Sequence, residues 1–314
     1  AAPPPASASP ATGPDPRLWD GGRLFPDGIR DQFILSTEQF AHRFWIVDNS
    51  GSMTRGDGKM LSLTAGQNQK QMIACSRWTE LRSALRFHGD TAIRLQAPTH
   101  FLLLNPPLGA PQRIVLGDRS DPDPQPPIES RERDDMSRLN NMCRTEPTGA
   151  TPLCAAIRAT IAEIRTLTPA LRAQHQRVVL VIATDGIATD GDVAAALAPL
   201  RNLPVWVVLR LCTDDNAIVQ YWSDIDTEVE LDMDVLDDLE SEAVEVNRHS
   251  PWFTYGLPLQ RLREWGTATK LLDVLDERSL EPHELKELTT LIYGYRQAAD
   301  LPDPQRDWAH FTAA

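Results

Sequence analysis

Three short apolar runs punctuate the chain, at residues 44–48 (FWIVD), 177–185 (RVVLVIATD) and 205–211 (VWVVLRL). They are rich in β-branched side chains and lack polar alternation, the pattern of strands covered on both faces in a parallel sheet. The first two end on an aspartate. Weaker strands are predicted around Leu103 (THFLLLN) and Val115 (QRIVLG), where Pro-Pro and Gly-Asp dipeptides mark the ends, and these two are expected to form a hairpin or a sheet edge. Between the strands the period changes. Leu153, Ile157, Ile161, Ile164, Leu167 and Leu171 follow one another at spacings of four, four, three, three and four, which is one face of a helix of about five turns. Thr151 is expected to cap its start, with Pro152 at the first helical position. Further helices are predicted from about Ser76 to His88 and from about Asp192 to Arg201. Strands alternating with helices of this length predict an α/β fold with a doubly wound, mainly parallel, Rossmann-like central sheet flanked by helices.

Outside that region the pattern differs at both ends. Residues 1–37 form a Pro/Ala-rich tail and lead-in; the first sixteen residues hold six prolines and almost no large apolar side chain, so an extended tail is expected. Residues 38–250 read as the α/β domain. Residues 251–314 hold three short helical candidates, PWFTYGLPLQRLREWG, KLLDVLDE and EPHELKELTTLIYG, with Pro282 at a helix start, and read as a helical extension over one side of the sheet followed by a polar tail. Residues 224–242 carry ten acidic side chains and no basic one. There DIDTEVELDMD alternates acid with apolar residues and predicts a half-buried strand with an acidic outer face, an edge blunted by charge or a dock for a basic partner.

Composition narrows the function. At 314 residues the chain can bury a sizeable core. No apolar run approaches the roughly 20 residues of a membrane-spanning helix. A net charge of −13, with no basic stripe interleaved with aromatics, argues against nucleic-acid binding. Cys75, Cys143, Cys154 and Cys212 form no CxxC pair and, with seven scattered histidines, no zinc-ligand spacing, so free thiols are expected. Without disulfide spacing or an Asn-X-Ser/Thr sequon, an intracellular setting, cytoplasmic or organellar, is expected.

The most informative stretch is Asp48-Asn49-Ser50-Gly51-Ser52-Met53, directly after the first buried strand. Its position puts Asp48 at the carboxyl end of a central strand, where open α/β sheets form their ligand crevice. Gly51 is expected to let the loop turn so that both serine hydroxyls face one point. The strand ending in Thr184-Asp185-Gly186 delivers a second carboxylate to the same edge, and the loop Thr148-Gly149-Ala150-Thr151-Pro152-Leu153 adds hydroxyls. Two carboxylates and three hydroxyls are hard oxygen donors suited to Mg²⁺, Mn²⁺ or Ca²⁺.

In order and spacing, DNSGS, GATPL and ATDG resemble the motifs of a von Willebrand factor A domain with its metal-ion-dependent adhesion site, over residues from about 38 to 245. The resemblance implies that Ser50 and Ser52 bind the metal directly, that Thr151 joins directly or through water, and that Asp48 and Asp185 hold metal-bound waters. It implies a Mg²⁺-dependent, non-enzymatic protein–protein interaction module or assembly subunit, in which an Asp or Glu carboxylate of a protein partner fills the open coordination position. The tail, the acidic segment and the helical extension would add docking surface in a larger assembly. Two departures stand out: Gly-Ala-Thr replaces the common Gly-Gly-Thr, and Thr148 competes with Thr151 as the ligand. Alternative functions are an accessory subunit of an AAA+ ATPase of chelatase or activase type, which needs a separate ATPase chain, and a metal-dependent hydrolase, for which no base or nucleophile pairs with the site. No P-loop and no G-x-S-x-G elbow occur. Arg55-Gly56-Asp57 reads as an ordinary turn, and Asp190-Gly191-Asp192 as negative charge at a helix start.

Overall fold

The computed structural model describes residues 25–63, 70–118 and 128–313, so the expected extended tail at residues 1–16 lies outside the described residues. Helix α1 (Asp27–Gln39) leads into strand β1 (Phe40–Val47). A short 3₁₀ turn at Gly51–Thr54 is followed by an antiparallel hairpin, β2 (Gly58–Leu63) and β3 (Lys70–Cys75). Helix α2 (Arg77–Leu95) then crosses to β4 (Thr99–Leu103), and β5 (Arg113–Leu116) pairs antiparallel with β4. Helices α3 (Ile128–Met142) and α4 (Leu153–Ala173) precede β6 (Arg177–Thr184). Next come α5 (Val193–Leu197), β7 (Val205–Leu211), α6 (Asn216–Val229) and β8 (Met233–Leu236). The chain closes with α7 (Leu239–His249), α8 (Leu257–Trp265), α9 (Lys270–Glu277), α10 (Pro282–Tyr293) and the short α11 (Tyr295–Ala298) and α12 (Trp308–Ala313).

The main sheet runs β5-β4-β1-β6-β7-β8 and is parallel except for β5. From β1 the chain builds to one side through β4 and then to the other through β6, β7 and β8, so the order reverses beside β1. A reversal of this kind opens a crevice at the carboxyl ends of the strands. Register aligns those ends: Val47 of β1 lies opposite Leu103 of β4 and Ala183 of β6. Residue 48 therefore falls level with Thr184, and Asp185 follows one position beyond at the same end of the sheet.

Each central strand is buried on both faces, which is why its sequence lacks alternation. On β1, Trp45 and Val47 join one core with α1, α2 and the C-terminal helices; Phe44 and Ile46 join the other with α4, α5 and α6. The C-terminal helices thus share a core with the sheet. Trp265 of α8 is fully buried, its carbonyl accepts from Arg43 Nε at 3.1 Å, and the Arg43 guanidinium lies 3.9 Å from its ring centroid. Helix α10 begins at Pro282, as the sequence predicts. All four cysteines are free thiols.

Three expectations are corrected. The acidic segment is not a long alternating strand: α6 runs through Val229, and only Met233–Leu236 are extended. Trp222, Ile225 and Val229 lie three and four residues apart on its buried face, and the Asp215 carboxylate accepts from the Ala217 N–H, so helical burial overrides the local period of two. Helix α4 is not capped by Thr151. Pro152 is its N-cap residue, and the Asp190 carboxylate instead accepts from the N–H groups of Cys154 and Ala155 at 3.0 and 2.8 Å. The polar tail expected after the third C-terminal helix contains the short helices α11 and α12.

Beyond the sheet edge at β8, a cleft of about 640 Å³ is lined by carboxylates from α6, β8, α7 and α9 and from the turn between β8 and α7, including Asp226, Asp234, Asp237, Glu245, Asp273 and Asp276. Burial, together with Asp234 and Glu245 nearby, raises the Asp276 pKa to about 6, with Arg263 opposing. In the native state this group holds a proton that the unfolded chain releases near pH 4, so its contribution to stability falls as pH rises from about 4 to 6. Asp276→Asn is therefore expected to stabilise the protein by about 1–2 kcal/mol at pH 8, after a discount for partial exposure, and by nothing at pH 4. Urea unfolding at the two pH values checks this; a gain that is equal at both contradicts it.

Candidate functional site

At the carboxyl ends of β1 and β6 the chain places two aspartates and two serines in one hydrogen-bonded chain. Asp48 is fully buried: its Oδ1 accepts from the Ser50 N–H at 2.8 Å, and its Oδ2 accepts from the Thr184 hydroxyl at 2.7 Å. Both oxygens are thereby committed to shaping the loop, and the Asp48 N–H itself donates to the Ala183 carbonyl across the sheet. The Ser50 and Ser52 hydroxyl oxygens stand 3.0 Å apart, and Ser52 Oγ donates to Asp185 Oδ1 at 2.7 Å. Ser50 precedes the 3₁₀ turn but its hydroxyl does not cap it. The two hydroxyls therefore face each other, and that of Ser52 also faces Asp185.

Thr151 is buried at 7 % exposure, in a loop tied to both others. Its carbonyl accepts from the Thr189 N–H, Gly51 N–H donates to the Gly149 carbonyl, and Thr148 N–H donates to the Asn49 carbonyl. Its side chain takes no part in the Ser50–Ser52–Asp185 chain, and it does not cap α4. Thr148 is exposed. The five expected residues, Asp48, Ser50, Ser52, Thr151 and Asp185, thus come from three loops stitched together by backbone hydrogen bonds.

The glycine that shapes this rim is Gly149 rather than Gly51. Gly149 has φ +89°, and a Cβ there would stand 2.6 Å from Asn105 Oδ1, whereas Gly51 meets nothing closer than 3.8 Å. Ala150, at the position where a second glycine is common, has no positive φ and is accommodated.

Several residues that sequence reasoning did not single out complete the rim. Asn49 makes a two-way bridge to the Asn105 backbone, donating to its carbonyl at 2.9 Å and accepting from its N–H at 2.8 Å. Asn105 in turn donates through Nδ2 to the Ala150 carbonyl at 2.8 Å, linking the end of β4 to the threonine loop. Arg77 donates through Nη1 to Asp185 Oδ2 at 2.9 Å and grips Asp57 through Nε and Nη2 at 2.7 and 2.6 Å. Asp57, part of the Arg-Gly-Asp tripeptide, is therefore an internal partner. Thr184 and Asn49 lay within quoted motifs, but nothing in the pattern marks Arg77 or Asn105.

Electrostatically the rim is short of positive charge. Burial raises the Asp48 pKa, the Thr184 and Ser50 hydrogen bonds oppose it, and the charge of Asp185 adds to the rise. Burial alone would lower the Arg77 pKa, but the hydrogen bonds and charges of Asp57 and Asp185 outweigh it, so the guanidinium stays charged. The two buried carboxylates, Asp48 and Asp185, thus face one guanidinium, Arg77, which Asp57 also shares. Among the described residues no group of three or more His, Cys, Asp or Glu side chains is arranged to hold a metal ion, so a cation here would need the hydroxyls as ligands.

Two oxygens bound at right angles to an ion of Mg²⁺ size, each about 2.1 Å away, stand about 3.0 Å apart. The Ser50 and Ser52 hydroxyl oxygens, hydrogen-bonded to each other at 3.0 Å, would need no change of separation to ligate such an ion, and the hard-oxygen donor set fits it. The chain matches none of the known protein-family models and none of the curated proteins with which it was compared.

Gly149→Ala is expected to destabilise the protein by about 1–3 kcal/mol, because it combines a positive φ with a clash against Asn105. Urea unfolding reads the loss, and an unchanged midpoint contradicts the role of Gly149 in joining the loops.

Proposed function

We propose that this chain is a von Willebrand factor A-like binding module whose rim holds Mg²⁺, or Mn²⁺ or Ca²⁺ in its place, and uses it to capture a carboxylate of a protein partner. The observation that carries the reading is the separation of the Ser50 and Ser52 hydroxyl oxygens, 3.0 Å, beside the Asp185 carboxylate at a strand-end crevice. Ser50 and Ser52 would ligate the ion, Thr151 would join directly or through water, and Asp48 and Asp185 would hold its waters.

This division of labour suits the hydrogen bonds. Asp48 has both oxygens engaged, and Asp185 has one oxygen on Arg77, so neither is free to surround the cation. Direct ligands that are mainly neutral hydroxyls leave much of the ion's charge unbalanced. An Asp or Glu side chain from outside is then a strong sixth ligand, and the ion becomes the centre of a protein–protein contact rather than of a reaction. The Ser52 hydroxyl does meet a carboxylate, Asp185, but that carboxylate is held by Arg77, a charge partner that opposes its acting as a base. The likeness therefore favours binding over turnover.

Calorimetric titration with Mn²⁺ tests the reading. Wild type is expected to bind one equivalent, and the Ser50→Ala, Ser52→Ala double variant to bind at least tenfold more weakly while keeping its far-UV circular dichroism. Equal affinity in the two proteins contradicts it.

A further inference from the structure

Arg77 enters the rim from an unusual place. It is the first residue of α2, where the helix dipole disfavours a cation, and it is only 3 % exposed. What holds it there is the carboxylate on either side: a two-point contact with Asp57, through Nε and Nη2, and a single contact from Nη1 to Asp185 Oδ2. The two partners are unequal. Asp185 is buried, with its other oxygen on Ser52, while the Asp57 side chain is 44 % exposed on the turn before β2.

The geometry points to Arg77 as a resident counter-cation that keeps the rim's affinity for a divalent ion low until a partner's carboxylate arrives, with Asp57 as the group that draws part of its charge away. This inference rests on the metal-dependent reading above and adds how that site is regulated. A guanidinium one carboxylate away from the ion repels it, and by occupying Asp185 Oδ2 it stops that carboxylate from turning both oxygens toward the cation. The negative charge that Arg77 cancels must then be supplied from outside. Ion and partner bind cooperatively, each strengthening the other by the same factor. Asp57 acts in the opposite direction: it shares the guanidinium, so that only one of three hydrogen-bonded contacts falls on Asp185.

The two residues consequently have opposite effects, which a purely structural role does not predict. Arg77→Met removes the charge at similar length, Arg77→Lys keeps the charge without the fork, and Asp57→Asn frees the guanidinium to turn toward Asp185. Calorimetric titration of each folded protein with Mn²⁺ alone is expected to give at least tenfold tighter binding for Arg77→Met and at least threefold weaker binding for Asp57→Asn. Arg77→Lys is expected to stay within about threefold of wild type. If wild type binds and folded Arg77→Met binds no more tightly, the inference fails and the metal-dependent reading stands. Should Arg77→Met not fold, Asp57→Asn decides, and equal or tighter binding by that variant overturns the inference. If wild type and all three variants fail to bind, both readings fall together.

Discussion

Two carboxylates from neighbouring strand ends, Asp48 and Asp185, are buried in one rim and share it with a single guanidinium, Arg77, which also serves Asp57. Buried carboxylates outnumbering their cations are tolerated only where hydrogen bonds or a bound ion make up the difference. Here hydrogen bonds do part of that work: Thr184 and the Ser50 N–H hold Asp48, and Ser52 holds Asp185. The Ser52 hydroxyl is turned onto Asp185 in this way, and the Ser50 hydroxyl sits against it. The proposed capture of a divalent ion grows from the same deficit, because a doubly charged cation placed against those hydroxyls relieves repulsion that the chain alone leaves in place.

The fold is what brings the charges together. Parallel pairing of β1 with β6 puts residues 48 and 185 at one edge, and the reversal of strand order beside β1 leaves that edge open. A second buried ionic cluster, further along the face of α2 that carries Arg77, anchors this helix. Arg210 of β7 pairs with Glu80 and lies 3.4 Å from Glu264, and Glu264 also contacts His88 at 2.8 Å and Arg261 at 2.6 Å. Helix α2 is thereby fixed to both β7 and α8, so Arg77 at its start is held on a rigid element. The C-terminal helices, though outside the likeness noted in the sequence, contribute to the rim at one remove by completing this cluster.

Much of the architecture was legible in the sequence because double burial leaves a plain mark. Runs such as RVVLVIAT must be apolar throughout, and the long face of α4 repeats faithfully from Leu153 to Leu171. The convergence of Asp48, Ser50, Ser52 and Asp185 could be read from their placement after such runs. What was missed had weaker marks. Helix α1 buries only Gly28, Ile29, Phe33 and Ser36, a face easily overlooked behind a Pro-rich stretch, and α3 is dominated by charged residues. The acidic α6 mimicked a strand because its charges happened to fall on alternate residues. Arg77 left no mark at all: an arginine at a helix start looks like surface charge until the fold sets it against Asp185.

A crystal of the protein soaked in Mn²⁺ and measured at the manganese absorption edge tests the central claim most directly. The account predicts one anomalous peak roughly 2.2 Å from both serine hydroxyl oxygens, with the Arg77 guanidinium still on Asp185. A rim with no peak, or one in which the guanidinium itself stands between Ser50 and Ser52, would contradict it.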